Sequence, residues 1–594
     1  MQFYLSLKRI PELRHRNWKE RRQILWQLGR RPYRSWRFWL TLAITSLVVL
    51  WALNMVLGMM LMDPTLTYTN QGYAGMVTLL ALISLPAVLF CWHSYLKAMR
   101  PFLPWARSNP EGSWWAATLK GLAMDLQFAL LFAAAVVSLD WAINQYDEAP
   151  DPRLAAILSW PESIPDENNG FIAAAGLQAA PGTPPFEAGK RWVAGVNDAI
   201  ARHAHDYPKA PDGLKYVAYV LPPYVTKPEA DRTGASAKFC ETGKAECLKI
   251  LRQEQKAVEA WLAANRELLA RYLDLQKYLQ WQYALKPGDL STPFPPMNAL
   301  IPAQSLMQAS ALQAIEKKQV GKGLGMLGDD IRFVRNMLGS KDMLIGKMVA
   351  ANMLARDLAL LAEIIRERPN EIKPYWAQIE NMLEPLSASQ VSVANAFRFE
   401  ERWVISSMSQ FTFNMATGTA VPSYLEAWAD HHFKRNATSN LMAGFWDEMF
   451  RHTEVHDASY TPPVEKANIK ALTGYSRLTG FMHNQAGKAV FLVAMPEYSY
   501  YPNRLFDLNA LNSLVRVRLE LARNNVSPLG VPAYLASADK SLQNPETGKP
   551  FEWDSERREV YFVPAMDWFS RRFPLGGRVP GRIGLAVPGA EKAK

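Results

Sequence analysis

Five of the nine histidines lie between His431 and His483: His431, His432, His452, His456 and His483. Histidine is the commonest metal ligand and the side chain whose charge changes near neutral pH, so such a grouping suggests metal-assisted or acid–base chemistry. His452 and His456 stand one helical turn apart, a spacing that sets two imidazoles on one helix face, with Glu454, Asp457 and Asp430 as nearby carboxylates. The candidate metal ligands are therefore His431, His452, Glu454 and His456, and zinc is the metal they would suit. The metalloprotease motif needs its Glu directly after the first His, and Thr453 occupies that place. Histidines at the edge of a helical core account for the same residues without any metal, so no cofactor is otherwise expected.

The stretch from Gly323 to Gly328 matches the dinucleotide fingerprint letter for letter, but it follows a charged, helical segment where the motif requires a buried strand. It is expected to be a flexible turn between helices. No phosphate-binding loop and no nucleophile elbow occurs. Cys240 and Cys247, seven residues apart, are expected to form a small-loop disulfide in an oxidising compartment, while Cys91 stands alone in an apolar run. Asn436-Ala437-Thr438 fits a glycosylation sequon. Asp125 is a candidate intramembrane carboxylate, because it interrupts an otherwise apolar segment.

The net charge of +11 is concentrated at one end. Residues 1–37 hold eleven Lys and Arg against two acidic residues, with Trp18, Ile24, Leu25 and Leu28 interleaved, as in a basic amphipathic segment on an anionic lipid surface or a solvated cytosolic tail. Nucleic-acid binding is not expected, since an uncharged apolar run follows at once and explains the arginines through membrane orientation. Two such runs, 38–62 and 75–96, and a third apolar segment, 121–143, whose Asp125 and Asp140 would lie near the headgroups, are predicted transmembrane helices. The first connecting loop lacks Lys and Arg and the second carries them, which predicts a multi-pass inner-membrane protein with a cytoplasmic N-terminus and a large periplasmic domain.

Beyond the runs, 144–190 is rich in Pro and reads as a linker. From 191 to 500 the apolar spacing predicts a mainly helical domain, with one long helix from Glu246 to Leu285 and a helical stripe from Ile331 to Arg366. Lys488 to Met495 reads as a strand. Residues 501–572 predict a helix followed by a β-hairpin, and 573–594 a loose tail. The helix-then-turn ending resembles that of pseudopilin-like secretion proteins over under a tenth of the chain. The N-terminal anchor of those proteins does not stand directly before it, and no function is carried over.

The expected fold class is thus a membrane-anchored, mainly α protein with a small β element near the C-terminus. The expected function is that of a non-enzymatic scaffold or adaptor in a multiprotein envelope complex, with the lipid bilayer and other envelope proteins as partners, because no complete catalytic constellation appears. The alternative is an extracytoplasmic metal-assisted hydrolase centred on the region from His431 to His456.

Overall fold

The computed structural model describes residues 10–28, 31–46, 88–105, 137–159, 162–202, 206–219, 247–286, 292–409, 423–453, 483–494, 498–565 and 581–587, with a few flanking positions. Over these the chain is mainly helical, with a three-stranded sheet near the C-terminus. The main helices are α1 (Trp18–Leu28), α2 (Gly170–Ala175), α3 (Pro185–Ala201), α4 (Cys247–Gln253), α5 (Gln255–Ala264), α6 (Arg266–Leu275), α7 (Leu300–Glu316), α8 (Val320–Leu338), α9 (Leu344–Glu367), α10 (Ala394–Ser409), α11 (Ser423–His432), α12 (Arg435–Thr453), α13 (Gln485–Ala494) and α14 (Tyr501–Arg523). The strands are β1 (Glu552–Asp554), β2 (Glu559–Phe562) and β3 (Ile583–Ala586). Two units result: one is Met1–Asp151, Thr412–Met442 and Val464–Pro496, the other Pro152–Phe411, Ala443–Pro463 and Glu497–Lys594.

The three predicted transmembrane helices are not supported, because among the described residues no helix is long and apolar enough to cross a membrane. Residues 50–87 and 106–129 of the relevant region, Asp125 included, lie outside the described residues. The described parts of the runs are helical over 36–46, 88–99 and 137–143. The long helices carry charge instead: α9 holds Lys347, Arg356, Asp357, Glu363 and Arg366. A lack of charge had been read as a membrane span, yet Phe38 and Leu42 share a core with Cys91, Tyr95, Leu96 and Met99. The assignment to the inner membrane with a periplasmic domain falls with the spans on which it rested.

In the first unit that core also takes in Ile10, Leu13, Ile24, Leu25 and Leu28, so the apolar face of α1 is buried against its own chain. Asn17 accepts from the Glu20 amide at 2.9 Å and Glu20 accepts from Asn17 Nδ2 at 3.1 Å, a reciprocal pair that fixes the start of α1. Arg100 Nε donates to Glu12 at 2.7 Å and holds that carboxyl below its ordinary range.

The second unit is built around α9, which is buried on nearly all sides, as a helix with apolar residues around its circumference must be. α7, α8 and α9 follow one another through connections of three and five residues, which makes neighbours of successive helices. Lys318 closes α7 in the left-handed region (φ 64°), while the Gln319 amide donates back to Ala314 O at 2.9 Å. Gly323 lies inside α8, so the glycine-rich stretch is neither a phosphate-binding loop nor a flexible turn. A Cβ there would come within 2.5 Å of Ala311 O, and the glycine permits α7 and α8 to touch.

Other expectations also change. The segment predicted as one helix from Glu246 to Leu285 is three helices, α4 to α6, followed by extended chain. Between α5 and α6 the Asn265 side chain accepts from Val217 N at 2.8 Å and donates to Val217 O at 3.0 Å, gripping an extended segment where the helix breaks. Residues 488–494, read as strand, belong to α13, since a short apolar run does not distinguish the two classes. Pro184 and Pro185, read as breakers, start α3, the place where proline's missing N–H costs nothing. The hairpin forms as β1 and β2, antiparallel with Trp553 opposite Val560, but β3 extends the sheet from within the expected tail and buries Ile583 and Leu585.

Candidate functional site

Four helices of the second unit converge on a buried carboxyl pair. Asp330 of α8 and Asp357 of α9 have no exposed surface, and each lies against the same amide nitrogen, that of Gln304. From α6, Tyr272 Oη and Gln276 Nε2 donate to Asp330 Oδ1 at 2.6 and 2.7 Å, one helical turn apart on one face. From α7, Gln304 Nε2 lies 3.0 Å from Asp330 Oδ2 and 3.0 Å from Asp357 Oδ2, while Gln308 Nε2 donates to Asp357 Oδ1 at 2.8 Å. Gln304 Oε1 has no partner, the orientation that a negatively charged pair imposes on an amide. Arg356 donates to Ser305 Oγ at 2.7 Å and approaches Gln308 Oε1 at 3.4 Å, so its charge reaches the pair through Gln308. Burial raises both carboxyls, Asp357 the further because the charge of Asp330 adds to it.

A second polar cluster fixes the start of α9. Asp342 accepts from Trp281 Nε1 and from the Met343 amide, each at 2.7 Å, and burial pushes its carboxyl up to about 7. Glu400 of α10 accepts from the Leu344 amide at 2.8 Å, filling one of the donors that a helix N-terminus leaves open. Burial raises Glu400 to about 7 as well. Burial lowers Lys347 to about 7, and its Nζ donates to Leu338 O at 2.5 Å and Ser389 O at 3.1 Å, capping α8. Glu363 of α9 accepts from the Cys247 and Leu248 amides at 3.2 and 3.0 Å and so anchors the start of α4. All four of Asp342, Lys347, Glu363 and Glu400 are buried. Their chemistry is that of joints between helices.

The histidines of the first unit serve similarly. His432 Nε2 lies 2.6 Å from Asp140 Oδ2, and Gln485 Nε2 donates to Asp140 Oδ1 at 3.3 Å. Asp140, expected at a membrane headgroup, is thus a link between α11 and α13. His431 stacks on Trp141 with ring centres 3.5 Å apart, and burial lowers its pKa. His483 stacks on Tyr146, with its Nε2 2.9 Å from Tyr146 O. Asp147 accepts from the Asn436 and Ala437 amides at 2.9 and 3.0 Å, and Asn440 Oδ1 accepts from Asp151 N at 2.7 Å, so residues 140–151 form a strap along the start of α12. Thr438 is fully buried and donates to Lys434 O at 2.7 Å, while Asn436, the acceptor position of the sequon, is half-buried and donates through Nδ2 to Glu148 O at 2.9 Å.

Among the described residues no group of three or more His, Cys, Asp or Glu is placed to hold a metal. Glu454, His456, Asp457 and the side chain of His452 lie outside the described residues. Cys247 is disulfide-bonded, and Cys240, its expected partner, lies outside the described residues. Cys91 is a free thiol that burial pushes up to about 11, which removes it as a nucleophile.

One surface feature stands apart from these joints. Over 36–48 the residues Trp36, Trp39, Leu40, Ile44 and Val48 are exposed, while Phe38, Leu42, Thr45 and Ser46 are buried. Steps of three and four place the exposed set on one helix face, and Arg34 and Arg37 are exposed at its N-terminal end. The sequence reading missed both this face and the buried carboxyl pair. The pair's only signal was charge within the apolar stripe of α8 and α9.

No known protein family, curated protein or solved structure matches the chain.

Proposed function

We propose that the protein is a non-enzymatic scaffold or adaptor, which holds another protein on the exposed apolar face over 36–48. That face is the observation that carries the reading. Large apolar side chains scattered singly on a surface need no explanation, but a helical row that includes two tryptophans and three aliphatic residues marks a docking surface. The buried Asp342, Lys347, Glu363 and Glu400 support the same reading, since each is hydrogen-bonded to backbone at a helix end. The arginines at the end of the face favour a partner with acidic residues beside its own apolar surface.

A photo-crosslinking residue placed at Trp36, Leu40 or Ile44 of the full chain, in the cells that make it, tests this proposal. The expected result is one discrete protein adduct common to the three positions and absent from exposed control positions Glu259 and Arg332. Equal labelling at test and control positions, or adducts with lipid alone, would overturn it. Stoichiometric zinc in the purified protein, lost on His452→Ala, would favour the hydrolase over the scaffold.

A further inference from the structure

The Asp330 and Asp357 carboxyls are fully buried, share Gln304 Nε2 at 3.0 Å each and have the Arg356 guanidinium nearby, so two negative charges side by side there would be weakly screened. A proton held by one of them removes a charge and supplies the donor that two carboxylates lack. We propose that Asp330 and Asp357 form a proton-binding site, with Asp357 as the donor and Asp330 as the carboxylate, and that the bound proton locks α8 against α9.

The assignment of the proton follows from the partners. Asp330 accepts from Tyr272 and Gln276, two donors that favour its charged form. Asp357 accepts from Gln308, while the two hydrogens of Gln304 Nε2 are divided among Asp330, Asp357 and Met353 O and favour neither carboxyl. With one proton bound, the single negative charge of the pair balances the positive charge of Arg356, relayed through Gln308. With none, two carboxylates face one guanidinium in a site closed to water, where charge repulsion is weakly screened.

The titratable and charged groups around the site come from few elements. α6 supplies Tyr272, which burial and the two aspartates raise well above its ordinary value, so it stays neutral. α7 supplies only amides and Ser305, and α9 supplies Arg356. Tyr216 lies near enough to Arg356 to feel its charge. α14 also packs on α9, but its buried Asp507 and Arg518 bond to Ala565 N and Ala586 O.

Alkaline pH removes the Asp357 proton to hydroxide, giving water and a second carboxylate. In the unfolded chain Asp357 ionises in the ordinary carboxyl range, so the folded state binds one extra proton above that range. Stability from this site is complete below the ordinary range. It is lost as pH rises towards the raised pKa of the folded state, at about tenfold in the folding equilibrium per pH unit.

Infrared spectroscopy of the full chain at about pH 8.5 tests the proposal, since the carboxyls pushed only to about 7 are ionised there. The expected result is a carboxylic-acid carbonyl band in the wild type that is absent from Asp357→Asn. Denaturation between about pH 6 and 9 should show Asp357→Asn losing about tenfold less per pH unit than the wild type. No acid band in the wild type, or the same pH slope in both proteins, would overturn the proposal. The wild-type band is read without any variant, so a variant that fails to fold leaves the decision intact.

Discussion

Glu400 shows how a single buried carboxyl ties stability to pH. Its Oε1 accepts from the Leu344 amide, Tyr498 approaches its other oxygen at 3.3 Å, and burial raises it from 4.5 to about 7. The folded state therefore holds its proton more tightly than the unfolded state. Stability from this site is full below about pH 4.5 and is lost as pH rises through about 7. Glu400→Gln keeps an acceptor for Leu344 and removes the titration. Unfolding free energies from denaturant melts at pH 5 and 8 should differ less in this variant than in the wild type, by about 1–3 kcal/mol. Cys91 gives a second prediction: its buried thiol should resist alkylation at pH 8 until the protein unfolds, as read by mass spectrometry against denaturant. The sequence showed neither residue in its role, because burial is set by elements that meet only in the folded chain.

At the scale of elements, apolar spacing was a good guide to the helices and a poor one to their ends. The stripe predicted from Ile331 to Arg366 corresponds to α8 and α9, and Asn524-Asn525 marks the stop of α14, where Asn525 takes a positive φ of 46°. The break at Asn265 was illegible, because no Gly or Pro marks it and its cause is a bond to Val217 far away in sequence. Asn265→Ala would leave the Val217 amide and carbonyl without that partner, and should cost about 2–4 kcal/mol in a denaturant melt, with faster hydrogen exchange at Val217. Gly323→Ala gains helix propensity but places a methyl group against Ala311 O. A net loss of about 1–3 kcal/mol is expected, and an unchanged midpoint would show that α7 and α8 can separate freely.

For the whole molecule, the uncharged runs near the N-terminus point to a membrane, yet among the described residues no helix is long and apolar enough to cross one. Of the histidine grouping, His431, His432 and His483 bond to Trp141, Asp140 and Tyr146 along one strap, while the side chain of His452 and all of His456 lie outside the described residues. Such long-range pairings leave no trace in local spacing. The exposed row from Trp36 to Val48 was hidden for the same reason: hydropathy gives the apolar content of a helix but not which of its faces the fold covers. Docking of a protein partner on this face is read from the light-scattering mass of the natively purified full chain, compared with a Trp36→Asp/Leu40→Asp double variant. The expected result is a wild-type complex heavier than any multiple of the chain alone, and a double variant that loses the added mass while keeping its circular dichroism and melting midpoint. An added mass retained at the same stoichiometry in the double variant, or a wild type that carries no added mass, would overturn the proposal.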